Sequence, residues 1–212
     1  MLTVHHLGIS QSERIVWLCE ELEIPYRFIR YERTAANLAP PAYRALHPGG
    51  TAPVITDGDL ALAESGAILE YVCAHYGQGR LSVGAESPDH AAYLYWMHYA
   101  NGSFMSGGLL TFSLGVMNVD PTHPTVRDIN TRYARGFDTV EQRLAAAPYL
   151  AGAAFTAADI NMAFPLTTMR LFTPLDLGGY PHIRAYLQRL GARPGFQRMV
   201  AKIAPDPAPP LV

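Results

Sequence analysis

The chain has 212 residues, 49% of them hydrophobic and only 16% charged, with a formal net charge of −2. That length and apolar fraction suffice for one large or two small domains with a sizeable core, and the absence of any basic block excludes an electrostatic footprint for nucleic acid. No apolar run approaches the ~18 residues needed to cross a bilayer, so no membrane partner is expected.

The chain enters a strand-like pattern at once, and no signal peptide is visible. Leu2 to Leu7 reads as that strand, closed by Gly8. Ser10-Gln11-Ser12-Glu13 then precedes Ile15, Val16, Leu18, Cys19 and Leu22, which recur at helical spacing. Ser10 or Ser12 is the expected N-cap, and Glu13 suits the positive end of the helix dipole. Ile24-Pro25 ends the helix, Tyr26 to Tyr31 alternates as a half-buried strand, and a short helix is expected over Pro41 to Leu46. Ala52 to Thr56 is a strand with Pro53 at its entrance, where the missing N–H is tolerated. Asp57-Gly58 signals a two-residue hairpin turn, Leu60 to Ala63 is the returning strand, and Ser65 looks like the N-cap of a helix running to Tyr76.

Gln78 to Pro88 has little periodicity and reads as a linker. Everything beyond it is helical in pattern: Asp89 to about Leu114, Val126 to Ala147 capped by Pro124 and Thr125, Ala157 to Phe172, His182 to Leu190 and Phe196 to Ile203. The domain reading is therefore 1–77, a linker 78–88, an all-helical domain 89–204 and a Pro-rich tail 205–212 that lies extended. Gly102, Gly107, Gly108 and Gly115 are unusual inside a helix, where each costs ~1 kcal/mol against Ala. A close helix approach, a kink or room for a ligand would each explain them. Cys19 and Cys73 lie in helical patterns without a Cys-x-x-Cys, as buried thiols in a reducing cytoplasm would.

Three constellations carry chemistry, and each has a plain structural alternative. Thr51-Ala52-Pro53 would offer the Ala52 backbone to an extended ligand if the Ala52–Pro53 bond were cis, but only ~5% of such bonds are. Glu64-Ser65 could read both charged ends of an α-amino acid, the Ser65 hydroxyl and N–H taking its carboxylate and Glu64 its ammonium. The alternative is an ordinary N-cap worth ~1 kcal/mol. Ser10 or Ser12, near a helix N-terminus, could donate to a thiolate and lower its pKa, or could merely cap. No Gly-x-Ser-x-Gly elbow is present, which argues against a hydrolase nucleophile. The eight histidines show no paired ligand spacing, and no metal is expected.

Together, on one topology, these motifs say more. Thr51-Ala52-Pro53-Val54-Ile55 and Glu64-Ser65-Gly66-Ala67-Ile68 ahead of Tyr71 resemble the thioredoxin-like domain of cytosolic glutathione transferases. Phe155-Thr156-Ala157-Ala158-Asp159-Ile160 is similar to the capping box of that family's helical domain. The start, Val4-His5-His6-Leu7 through Glu20-Glu21-Leu22, resembles bacterial and fungal members with a serine in the first turn. The resemblance implies an α/β thioredoxin-like domain with a mixed four-stranded sheet, followed by an all-α domain. It implies that Pro53 is cis, that Ala52 pairs through its backbone with the cysteinyl part of glutathione, that Thr51 beside it belongs to the same binding stretch, and that Glu64 and Ser65 hold the γ-glutamyl end. Ser10 stands four residues before Arg14, the spacing of the thiolate-stabilising hydroxyl in serine-type classes, with Ser12 the alternative. The tyrosine and cysteine that other classes use are absent from these positions, which disfavours glutathione-dependent disulfide reduction.

The implied enzyme is a cytoplasmic homodimer that binds glutathione as cosubstrate, needs no metal and directs the thiolate at an apolar electrophile. That electrophile is expected between the domains, lined by Leu7 and Ile9 of the first loop and by Tyr95, Tyr99, Ser103 and Phe104, although an aromatic stripe at helical spacing is also how a core packs. A glutathione-dependent isomerase or dehalogenase, or a binding protein without turnover, would use the same residues.

Overall fold

The computed structural model describes residues 1–211. The chain divides into two compact units, the first made of Met1–Ser82 with Gly191–Pro209 and the second centred on Val83–Leu190.

In the first unit a mixed sheet has the strand order β2-β1-β3-β4. Strands β1 (Thr3–Leu7) and β2 (Arg27–Tyr31) are parallel, joined through helix α1 (Glu13–Leu22), as a parallel pair requires a crossover. Strands β3 (Val54–Asp57) and β4 (Leu60–Ala63) run antiparallel, β3 also pairing with β1. The central strand β1 is buried at all five positions. Asp57 still pairs with Leu60, so the hairpin turn is Gly58-Asp59, one residue later than the sequence suggests. Gly58 supplies φ +58, the left-handed conformation that such turns favour. A four-residue helix α2 (Pro41–Arg44) precedes the hairpin, and α3 (Ser65–His75) follows it. Asp57 accepts hydrogen bonds from the Tyr71 and Tyr76 hydroxyls, tying the turn to the end of α3.

The last helix, α9 (Pro194–Ile203), packs against α1 in this same unit. Helical periodicity groups it with residues 89–204, but the pairing is set by shape and charge. A side chain at Gly195 would begin 2.8 Å from the Glu21 Cα, so only glycine permits this approach. The Phe196 ring meets Trp17 edge-on at 5.1 Å, Arg193 pairs with Glu21, and Lys202 reaches Glu20 at 2.7 Å. Nor does the Pro-rich tail lie unattached. The Asp206 side chain is 8% exposed and pairs with Arg30 at 2.6 Å.

The second unit contains α4 (His90–Tyr99), a π-helical turn (Ala100–Met105), α5 (Ser106–Val116), α6 (Pro124–Ala146), α7 (Ala157–Leu166), a 3-10 turn (Thr168–Leu171) and α8 (Pro181–Gly191). The single segment expected over Asp89 to Leu114 is thus one helical path interrupted by a wide turn. A Cβ at Gly108 would lie 3.2 Å from the Tyr133 ring, so close approach of α6 explains the glycines at 107 and 108. Pro124 takes the first helical position of α6, and the His123 ring rather than Thr125 caps it, accepting from the Thr125 N–H at 3.2 Å. Both halves of the Thr156–Asp159 capping box are present at α7. Among the described residues no helix is long and apolar enough to cross a membrane.

Candidate functional site

The turn from β1 into α1 is held from several sides. Ile9 adopts φ 48, an outlier for a β-branched residue, and persists because its neighbours over-determine it. Arg33 donates to the Gly8 carbonyl at 2.8 Å and to the Ile9 carbonyl at 3.0 Å, while the Ile9 N–H donates to Asp206 Oδ2 at 3.1 Å.

Neither serine caps α1 in the expected way. Ser12 occupies the N-cap position with helical torsions, φ −66 and ψ −19, and makes no side-chain cap bond. Its hydroxyl turns back to β1 instead, 2.9 Å from His6 Nδ1 and accepting from the Leu7 N–H at 3.2 Å. Ser10 donates to the Leu7 carbonyl at 2.7 Å and lies 2.8 Å from the Ser12 oxygen. Ser12 is 0% exposed and Ser10 7%, so of the pair only Ser10 keeps any surface.

On β3 and α3, the Ala52–Pro53 peptide is cis. Thr51 is exposed, Ala52 half-buried and Pro53 buried. The expected N-cap at Ser65 shifts by one. Glu64 takes the cap position at φ 71 and ψ 115, a sparsely populated conformation for a residue with a side chain, and stays exposed. Ser65 becomes the first helical residue, with its hydroxyl accepting from Arg14 Nη1 at 2.9 Å. The first-turn N–H groups of Gly66 and Ala67 have no intrahelical carbonyl within reach, as at any helix start.

Arg14, which spacing alone marks in the sequence, joins the two turns. Its Nη1 donates to Gln11 Oε1 at 2.6 Å and to Ser65, so the serine turn and the Glu64-Ser65 turn are held together through one buried guanidinium. Burial lowers its pKa to about 9, opposed by Glu13. A charge is expensive to bury without partners, which makes this bridge a structural commitment by the sheet unit.

The residues expected around an electrophile fall in both units, Leu7 and Ile9 in the first and Tyr95, Tyr99, Ser103 and Phe104 in the second. The Leu7 side chain is buried in a core cluster with Tyr43, Val54 and Ala63, whereas Ile9 keeps partial exposure. In the helical unit Tyr99, Ser103 and Phe104 do come together, with Gly107, Leu110 and Tyr133, around a cavity of about 350 Å³. Phe104 is also core, 4.8 Å from Phe137 and 5.6 Å from Tyr133 between ring centres. Tyr95 is half-exposed and stacks on Tyr99 at 5.3 Å. A larger cavity, about 510 Å³, is lined by Phe112, Tyr133, Phe137 and Phe172. Phe112 and Phe172 come from separate elements, and nothing in the local sequence marks them as neighbours.

Burial pushes the Cys19 thiol far up and the Cys73 thiol to about 11. Such thiols are inert. Among the described residues no group of three or more His, Cys, Asp and Glu side chains converges to hold a metal.

Two family models match the chain: the glutathione S-transferase N-terminal domain over residues 10–75 and the glutathione S-transferase C-terminal domain over residues 123–189. The chain belongs to the glutathione S-transferase family. Glutathione S-transferase 3 of Schizosaccharomyces pombe is 31% identical, over 96% of this chain and 88% of that protein. A crystal structure of a glutathione S-transferase from Actinobacillus pleuropneumoniae superposes with a TM-score of 0.87 at 30% identity, covering 96% and 93% of the two chains. A sphingomonad glutathione S-transferase complexed with glutathione shares the fold, with a TM-score of 0.76 at 18% identity over 96% of this chain and 99% of that one. Both units are thus those of a glutathione S-transferase, the thioredoxin-like sheet unit and the all-helical unit.

Proposed function

We propose that the chain is a serine-type glutathione transferase in which the Ser10 hydroxyl donates to the glutathione thiolate, with Ser12 the alternative donor. The observation that carries this reading is the Gln11–Arg14–Ser65 bridge, which joins a hydroxyl turn at one helix start to an anion-suited turn at another. Glu64 offers an exposed carboxylate to the γ-glutamyl ammonium, and the first-turn N–H groups of α3 suit its carboxylate. Ala52, flanked by Thr51 and the cis Pro53, pairs through its backbone with the cysteinyl part.

Charge then sets the chemistry. A free thiol has a pKa of ~8.5 and little thiolate at neutral pH. A hydroxyl donor and the N-terminus of α1 lower it by about one to two units, each ~1.4 kcal/mol of preference for the charged form. The nucleophile must come from the cosubstrate, because both protein thiols are buried with raised pKa values. The thiolate attacks an apolar electrophile whose apolar surface in the helical unit is supplied by Tyr95, Tyr99, Ser103 and Phe104. Exposed apolar side chains such as Leu94, Leu109 and Leu110 support a homodimer, and two unpaired thiols fit the cytoplasm.

Retention on immobilised glutathione, followed by an assay of conjugation to an activated aryl halide, tests the reading. Retention with turnover is expected. Retention without turnover would support a binding protein, and no retention would remove glutathione from the function.

A further inference from the structure

A chain of hydrogen bonds runs from the C-terminal tail to the serine turn. Asp206 Oδ2 lies 2.9 Å from His6 Nε2, His6 Nδ1 lies 2.9 Å from Ser12 Oγ, and Ser12 Oγ lies 2.8 Å from Ser10 Oγ. Sequence gives no hint of it, since 200 residues separate His6 from Asp206. The residue types are those of a nucleophilic triad, but Ser12 is 0% exposed and cannot meet a substrate. The chain has to act on something beyond Ser12, and Ser10 is the next atom along it.

The direction of each bond follows from what each group can donate. Burial alone would push the Asp206 carboxyl up, but hydrogen bonds from Arg30, His6 and the Ile9 N–H hold it below its ordinary value, so it is ionised and only accepts. His6 is kept neutral near pH 7 chiefly by burial, which outweighs Asp206 and Glu32 and is aided by Arg30. A neutral ring that donates from Nε2 to Asp206 must accept at Nδ1. The Ser12 proton has two acceptors within reach, His6 Nδ1 at 2.9 Å and the Leu7 carbonyl at 3.3 Å, and the shorter contact gives it to His6; the Ser12 oxygen is left to accept, from the Leu7 N–H and from Ser10. The Ser10 proton is shared between the Leu7 carbonyl and the Ser12 oxygen, and it alone can turn toward an incoming sulfur. The Ser10 oxygen also accepts from the Ser12 N–H at 3.3 Å, which polarises it as a donor.

We infer that Asp206, His6 and Ser12 are positioning residues for the Ser10 hydroxyl: the tail carboxylate fixes the His6 tautomer, His6 takes the Ser12 proton, and Ser10 is left as the donor to the glutathione thiolate. The inference rests on the glutathione reading above and decides between the two serines. The same carboxylate also holds the turn itself, through the Ile9 N–H, and lies against Gly8, where a side chain would start 3.1 Å from Asp206 Oδ1. His6 is fixed from its side by the Phe28 ring, stacked at 5.5 Å.

The test is a double-mutant cycle read as the pKa of the bound glutathione thiol, followed by thiolate ultraviolet absorbance on the full chain. Asp206→Asn and Ser12→Ala are each expected to raise that pKa by about 0.5–1 unit, the effect of weakening one hydrogen bond to a charge, with little change in KM for glutathione. On a Ser10→Ala background the same substitutions should have no further effect, which a merely structural role would not produce. If Asp206→Asn fails to fold, the Ser12→Ala and Ser10→Ala cycle carries the test alone. An unchanged thiol pKa in the single variants, or equal shifts with and without Ser10, would overturn the inference while leaving glutathione binding standing. Failure of the wild-type chain to bind glutathione would overturn it together with the reading beneath it.

Discussion

Asp206 in the sheet unit and Asp159 in the helical unit are both buried carboxylates, and their surroundings treat them in opposite ways. Asp159 accepts from the Leu150 and Thr156 N–H groups and from the Thr156 and Tyr186 hydroxyls, all neutral donors. Burial wins over these bonds and pushes its pKa up to about 6. Asp206 has a guanidinium beside it, and its carboxyl stays below its usual range. A ring of neutral donors makes a rigid structural node in which every bond is spoken for. A charged partner keeps the carboxylate ionised, and it can then orient a histidine and a hydroxyl chain that ends near the surface. The contrast is between a carboxylate held only by neutral donors and one held by a charged partner.

The largest expected effect breaks the structural node. Asp159→Ala strips four donors of their acceptor inside the core and should destabilise the protein by about 3 kcal/mol or more, read by denaturant unfolding. Glutathione binding by the fraction that remains folded should be unchanged. The pH dependence sharpens the same point. The folded pKa of Asp159, about 6, lies above the ordinary carboxyl value of 3.8. The stability it contributes is therefore fully present below pH ~4 and lost as pH rises through 6, on the order of 3 kcal/mol. Asp159→Asn should accordingly cost more stability at pH 4 than at pH 7. Asp206, with a lowered pKa, contributes in the opposite sense, its stabilisation being lost as the solution is acidified below the ordinary carboxyl range.

Smaller effects distinguish the two units by function. Phe104→Leu removes ring contacts with Phe137 and Tyr133 and should cost about 1–2 kcal/mol of stability. It should raise KM for the electrophile and leave KM for glutathione alone. Ser65→Ala takes an acceptor from Arg14 and a hydroxyl from the γ-glutamyl end, and should weaken glutathione binding by about 1 kcal/mol, several-fold in Kd, with a lesser effect on kcat. Steady-state kinetics with each substrate varied in turn checks both.

Much of the fold is legible in local sequence, because local physics makes it. Alternation marks β2, Leu60 to Ala63 is the second hairpin strand residue for residue, and Thr156 with Asp159 announces a helix start through a capping box that spans three residues. The site motifs Ala52-Pro53 and Glu64-Ser65 are legible for the same reason, being single turns of chain. What is not legible depends on partners far along the chain. Periodicity makes residues 196–203 a helix but says nothing of whether it packs on α1, which Gly195 and the Glu21–Arg193 pair decide. The π turn at Ala100–Met105 has nearly the same apolar pattern as an α-helix. Ser10 and Ser12 read as caps because a hydroxyl before a helix usually is one. Only His6, on the preceding strand, redirects Ser12. A lone aspartate in a Pro-rich tail carries no signal that it closes a chain of hydrogen bonds to the first strand.

The most direct measurement titrates the glutathione thiol bound to the wild-type chain and to Ser10→Ala, by ultraviolet absorbance of the thiolate. A hydroxyl donor at Ser10 requires a bound-thiol pKa about one to two units below the free value of ~8.5, moving back up in Ser10→Ala while glutathione still binds. An unshifted thiol in the wild-type complex, or the same lowered value in both proteins, would contradict activation by Ser10.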